Sequence, residues 1–180
     1  YRPQDAITDI SLLETLRQDA PLAVEVLPTE GRSARFKLLQ WNQQLSLSRV
    51  MPILESFGLK VLQEQAFALL HEDNCLWLHD FRTELPEALP KEVFAQSLSY
   101  VRDAMQVFWQ GGIEADVFNR LVTVLPCRWR EAHIFRVLSA YLKQVAFPLS
   151  ALAQAEALTR YPTIGRSLLE LFQVRFDPNI

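Results

Sequence analysis

Glycine and cysteine are scarce in this chain of 180 residues, which holds five of the first and two of the second. A dinucleotide site needs a strand, a glycine-rich turn and a helix whose amino end faces the pyrophosphate. Neither G-x-G-x-x-G nor G-x-x-x-x-G-K occurs, and the adjacent pair Gly111-Gly112 follows a helical stretch and reads as a helix stop. No cofactor-binding residue is therefore expected. Cys75 and Cys127, the two cysteines, sit far apart in sequence, and no disulfide framework is expected. They read as small buried hydrophobes in a reducing, cytoplasmic setting. The three histidines, His71, His79 and His133, are scattered, and no His/Cys/Asp/Glu set has metal-ligand spacing. His79 and Asp80 are adjacent on an expected strand, so their side chains point to opposite faces and no catalytic dyad is expected. A net charge of -3 gives no attraction for nucleic-acid backbones. No apolar run approaches the roughly 20 residues that span a bilayer, and the polar opening Tyr1-Arg-Pro-Gln-Asp5 is no signal peptide.

What is present is a chain with 49% hydrophobic and 22% charged residues, a globular balance. Its length suits one or two small domains. Ile7, Ile10, Leu13 and Leu16, widened by Leu12, predict an amphipathic helix over 6–17 with that stripe buried. After Pro21, Leu22, Val24 and Val26 alternate as on a half-buried strand. The turn Glu30-Gly31-Arg32 leads to a returning strand over 34–41, with Phe36 and Leu38 on one face and Arg35 and Lys37 on the other. Ser46 or Ser48 is the expected cap of a helix with Pro52 near its start and Val50, Ile53, Leu54 and Phe57 as its stripe. Gly58 is its left-handed stop. Strands over 60–70 and 75–81 follow, joined at His71-Glu-Asp-Asn74.

Helix, strand, strand, helix, strand, strand describes an α+β sandwich, matching a ferredoxin-like unit whose first strand has moved to the end. Two prolines in Leu85-Pro-Glu-Ala-Leu-Pro90 mark a domain edge, so the expected division is 1–85 for the α+β unit and 86–180 for an all-helical one. In the second, Val93, Phe94, Leu98, Val101, Met105 and Phe108 keep helical spacing. A short helix is expected over 114–122. A longer one opens at Pro126 and runs to about Ala146, with Trp129, Ile134, Val137, Leu138 and Tyr141 buried. A break at Phe147-Pro148, a weaker helix over 149–159 and a last helix from Pro162 complete the unit. Ile164, Leu168, Leu171, Phe172 and Phe176 should line that last helix.

The most polar group is Glu114, Asp116, Asn119 and Arg120. Asp116 and Arg120 have the order and spacing of a helical ion pair, and the acids suit a helix amino end. Trp129 and Arg130 open the long helix, and both residue types favour interface centres. These six are the candidate interface residues. A capped, docked short helix followed by an amphipathic bundle helix is the alternative account of them.

Phe108-Trp-Gln-Gly-Gly-Ile-Glu-Ala-Asp-Val-Phe-Asn-Arg-Leu-Val122, Trp129-Arg-Glu131, Arg136 to Gln144, Phe147-Pro148, Leu168 to Phe172 and Arg175-Phe-Asp-Pro178 form a long, irregular pattern. It resembles a segment of the large NAD-specific glutamate dehydrogenases of bacteria that precedes their catalytic domain. Ile113, Val117 and Val137-Leu-Ser139 depart from that pattern. Gly58-Leu-Lys-Val-Leu62 and Trp77-Leu-His-Asp-Phe81 are similar to the family's ACT-like segments. The resemblance implies a parent enzyme of glutamate catabolism that oxidatively deaminates L-glutamate to 2-oxoglutarate and ammonia. It also implies NAD as the parent's cofactor, homo-oligomers, and a catalytic lysine and aspartate outside this chain. The Tyr1 start and Asp177-Pro178 ending fit an excised piece. On this reading the chain is non-catalytic and regulatory or architectural, with the rest of the parent chain and other subunits as partners. An amino-acid effector would sit, as in ACT domains, at a strand-to-helix loop, here Asn42, Gln43 and Ser46. That loop lacks the usual glycine. A free-standing amino-acid-sensing ACT-like module is the other reading.

Overall fold

Alternation of apolar and polar residues produces a hairpin from β1 (Leu22–Pro28) and β2 (Ser33–Trp41), paired antiparallel with Val24 opposite Leu38 and Val26 opposite Phe36. Gly31 takes φ 75 in the connection, a left-handed value that glycine adopts without a Cβ clash. The computed structural model describes residues 3–29, 31–71, 74–85 and 89–177. Glu30, Glu72-Asp73 and Pro86 to Ala88, parts of the expected turns and domain edge, lie outside the described residues, as does Pro178.

A second hairpin, β3 (Lys60–His71) and β4 (Asn74–Glu84), lies against β2 through β4. The result is a four-stranded antiparallel sheet in the order β1-β2-β4-β3. One face carries Ala34, Phe36, Leu38 and Phe81, and it is covered by two helices, α2 (Leu47–Ser56) and α3 (Lys91–Trp109). Val50, Ile53, Leu54 and Phe57 come from α2 and its end; Phe94, Leu98, Val101 and Met105 come from α3. Gly58 at φ 79 ends α2, as its sequence position implies. Pro52 lies within α2 rather than at its start.

Two expectations are corrected on the other face. The element order pairs α1 (Pro3–Leu13) with α2 as the helical layer, but α3 packs against β1 in that place. α1 covers the opposite face, where Leu13 and Leu16 meet Leu39, Leu76 and Leu78. The unit is therefore ferredoxin-like with its last strand moved to the front. Only part of the expected stripe is buried: Leu13 and Leu16 point inward, but Ile7 is 68% and Ile10 54% exposed, while Asp9 is 2% exposed. The reason is electrostatic. Arg35 and Lys37 project from this face of β2, and the helix turns its acids toward them.

α3 lies beyond the expected edge at residue 85, yet it shares the sheet's core, and one buried cluster runs from Val24 to Leu169. α3 ends as expected at Gly111, φ 79, with Gly111 N–H donating to the Phe108 carbonyl and Gly112 N–H to that of Val107. These are the paired bonds of a Schellman stop. Four helices follow: α4 (Arg120–Val124), α5 (Trp129–Gln144), α6 (Ala151–Arg160) and α7 (Pro162–Phe176). The expected helix from Glu114 starts only at Arg120. α5 turns Ala132, Phe135 and Ser139 inward, so Val137, Leu138 and Tyr141, expected to be buried, face outward. Likewise α7 buries Gly165 and Leu169, leaving Ile164, Leu168, Leu171 and Phe176 exposed and Phe172 half-buried. Both helices have apolar residues on more than one side, and the described neighbours cover only one.

Candidate interdomain site

The polar group singled out in the sequence lies where the end of α2 meets α4 and α5. Asn119, 2% exposed, is the centre. Its amide nitrogen donates to Ser56 Oγ at 3.1 Å and to the Glu114 carbonyl at 2.9 Å. Its amide oxygen accepts from Arg136 Nη2 at 3.0 Å. Both amide hydrogens and the oxygen are thus engaged, as a buried amide requires. Four residues on, Thr123 Oγ1 donates to the Phe57 carbonyl at 2.7 Å. Ser97 Oγ of α3 in turn donates to the Thr123 carbonyl. Three elements are joined through side chains to backbone carbonyls that no helical bond satisfies.

Asp116 does not pair with Arg120 as its spacing implies. Residues 116–119 form a turn, so the two side chains are not stacked on a helix. Asp116 instead caps that turn, accepting from Phe118 N–H at 2.9 Å, and takes both Nε and Nη2 of Arg136. Such a two-pronged guanidinium–carboxylate contact fixes orientation as well as charge. Arg136 Nη1 also donates to His133 Nδ1 at 2.7 Å. Arg120 is exposed and lays its stem over Gly58, where an added Cβ would stand 3.2 Å from Arg120 Cγ. Glu114 contributes its carbonyl, while its side chain is exposed. A cleft of about 240 Å³ opens beside this network, with Glu55, Asp116, Arg120, Glu156 and Thr159 in its wall.

Trp129 is half-buried against the main core, and the Arg130 guanidinium lies 4.9 Å from its ring centre. These two are apart from the Asn119 network in function: they open α5, whose first turn is held by Glu131 Oε2 accepting from Arg128 N–H at 2.7 Å. Glu131 Oε1 also accepts from Gln173 of α7 at 2.8 Å.

The loop Asn42, Gln43, Ser46 spends its polar groups locally. Asn42, at φ 52, accepts from Cys75 N–H at 2.7 Å and donates to Asn74 Oδ1 at 2.8 Å. Gln43 Oε1 accepts from Gln40 at 3.2 Å, and Ser46 Oγ meets Ser48 Oγ at 2.7 Å. Asn42 therefore ties β2 to β4, and tolerates the left-handed backbone that asparagine tolerates best after glycine.

Nor do the remaining residue types build a reacting centre. His79 meets Glu64 Oε1 at 2.9 Å on the face covered by α2 and α3, while Asp80 binds Arg35 on the face covered by α1. Burial pushes the Cys127 thiol up to about 12, helped by the nearby Glu131 charge, so it stays protonated and unreactive at neutral pH. Gly111 and Gly112 close a helix rather than open one after a strand, so this pair does not fit the phosphates of a nicotinamide dinucleotide.

Two family models divide this chain. Residues 21–96 match the ACT3 domain of glutamate dehydrogenase, and residues 113–178 match its helical motif 3. The chain belongs to the glutamate dehydrogenase family. An NAD-specific glutamate dehydrogenase of Halomonas elongata is 32% identical over 99% of the chain. Those of Pseudomonas aeruginosa and Mycobacterium tuberculosis are 33% and 30% identical, each over 98% of it. The chain spans only 11% of the length of each of these relatives. No helix among the described residues is long and apolar enough to cross a membrane.

Sequence reasoning missed the charged cluster under α1. Lys37 Nζ contacts both oxygens of Asp9 at 2.7 Å, and both residues are buried. Arg35 bridges Asp5, at 2.6 Å, and Asp80. The Asp80 hydrogen bond, more than Asp5, drives the guanidinium further above its usual range against the cost of burial. A signal was available: Asp5 and Asp9 stand one helical turn apart, matching Arg35 and Lys37 at a two-residue strand step.

Proposed function

We propose that this segment is a non-catalytic, architectural and regulatory piece of an NAD-dependent glutamate dehydrogenase. The whole polypeptide oxidatively deaminates L-glutamate to 2-oxoglutarate and ammonia with NAD in the cytoplasm, as a homo-oligomer. The observation that carries this reading is the lock at Asn119, which joins the ACT-like sheet to the helical segment through fully paired buried groups. Such a lock transmits position rather than chemistry: a displacement of the sheet unit moves α5 and α7 with it. The partners are the remainder of the same polypeptide and other subunits. The division at residues 85 and 86 belongs to this reading as a boundary in sequence, with α3 acting as the element that both units share. Effector binding at Asn42, Gln43 and Ser46 is disfavoured because their polar groups are already engaged with Asn74, Cys75, Gln40 and Ser48.

Asn119→Ala tests the lock. It leaves Ser56, Arg136 and the Glu114 carbonyl short of a partner, and unpaired buried groups cost about 1–3 kcal/mol. In the full-length polypeptide the expected result is a change in kcat or in oligomer distribution by mass photometry, with the Kd for NAD unaltered. Calorimetric titration of this 180-residue chain with NAD should show no binding; micromolar affinity would overturn the reading.

A further inference from the structure

We propose that the groove between α5 and α7 is the seat of an amphipathic helix from another part of the same polypeptide. This deepens the architectural reading above by naming what the segment holds. The groove has a volume of about 640 Å³, and its walls are almost wholly apolar. Ile134, Leu138 and Leu142 of α5 and Leu168, Phe172 and Phe176 of α7 line it, together with residues of α6. Each set advances by about eight residues, roughly 12 Å at 1.5 Å per residue, or about two helical turns.

The inward and outward sides of α5 and α7 carry the argument. α5 meets the core through Ala132, Phe135 and Ser139, and α7 through Gly165 and Leu169. In the groove itself Leu138, Leu168, Leu171 and Phe176 are all exposed, the last two by more than half. Apolar residues of a helix left over after it has met its own core call for a second cover, so one more layer belongs on this surface. A patch of this kind left bare marks an interaction site or an aggregation liability.

The groove also selects the form of its occupant. Few polar groups line it, among them Ser139, Gln154 and Arg175. An extended segment would bury backbone N–H and C=O groups that helix walls cannot pair. A helix brings its own pairing and offers residues at i, i+3, i+4 and i+7 to such a trough. A second copy of this chain is a poor fit, because a two-fold contact sets a patch against itself and two concave surfaces do not fill each other. The same polypeptide is the apt source. In its relatives this region is 11% of the length, so nearly nine tenths of the sequence lies elsewhere. A tether raises the local concentration of such a segment to roughly the millimolar range.

The test uses the full-length polypeptide with p-benzoylphenylalanine in place of Phe176 or, separately, Leu138. Subunits grown with light and heavy nitrogen are mixed, reassembled and irradiated. Benzophenone inserts into any C–H bond within reach, so an occupied groove traps its occupant. The expected result is an isotopically pure adduct from each position to one segment outside these 180 residues. Its trapped residues should lie within about two helical turns of each other. Mixed-isotope adducts would place a different subunit in the groove and overturn the proposal. Adducts confined to these 180 residues, or none, would show the groove open and overturn it too. Such a failure would leave the Asn119 test of the architectural reading unaffected.

Discussion

The sheet unit and the α5–α7 layer use similar residues to different ends. Phe36, Leu38, Phe57 and Phe81 are fully buried between the sheet and its helices, whereas Tyr141, Ile164, Leu171 and Phe176 lie more than half exposed. Apolar content does not separate the two regions; the number of neighbours does. Each face of the sheet has a helical cover, α2 with α3 on one side and α1 on the other. Among the described residues, α5 and α7 each keep an apolar surface that nothing covers. A region can therefore be well formed as helix while contributing only half of the core it belongs to, since helical hydrogen bonds are satisfied within each helix and burial is not.

Phe81→Ala probes the closed side of this comparison and should have the largest effect. Removing a fully buried phenylalanine costs about 3–5 kcal/mol, a large share of the roughly 5–15 kcal/mol available to a domain. Urea unfolding should show a clearly lowered midpoint at unchanged slope. An effect below about 1 kcal/mol would mean that the helix-covered face is less tightly packed than described.

Asp9→Ala tests whether α1 truly seals the second face. Breaking one partner of a buried ion pair typically costs about 3–5 kcal/mol, because the other charge remains buried. Adding Lys37→Met should recover most of that loss, since an apolar replacement of a buried pair is often neutral or better. If Asp9→Ala unfolds at the parent midpoint, Lys37 reaches water and α1 is loosely held.

At the open side, Phe176→Ala should change the stability of this chain by no more than about 0.5 kcal/mol, the usual range for surface positions. Phe176 is 65% exposed, so little burial is lost. The same substitution in the full-length polypeptide should be clearly destabilising to α7, read as faster amide exchange over residues 162–176. Equal behaviour in the two settings would remove the distinction between a closed region and a half-built one.

Both β-hairpins, Gly58 and Gly111 as helix stops and the helical run after Pro90 were legible in the sequence. The cause is that period-two and period-3.6 patterns and left-handed glycines act over a few residues. What covered each face was not. Lys37 reads locally as a solvent-facing strand residue, and only the return of α1 across the sheet makes it a buried partner of Asp9. Asp116 and Arg120 carry the spacing of a helical pair, but the chain turns there and α5 brings Arg136 to Asp116 instead. Asn119 shows the same division: its place beside a helix start was evident, whereas its bonds to Ser56 and Arg136 span many residues in both directions. By itself the sequence determined which segments are helix or strand and the glycine stops of α2 and α3, because backbone preferences and turn chemistry are local. Tertiary structure alone decided that α3 rather than α1 shares the sheet's main core, which charges are buried, and which apolar stripe of α5 and α7 stays bare. Those outcomes depend on which surfaces meet, and a helix with apolar residues on two sides carries no local signal of which side will be covered first.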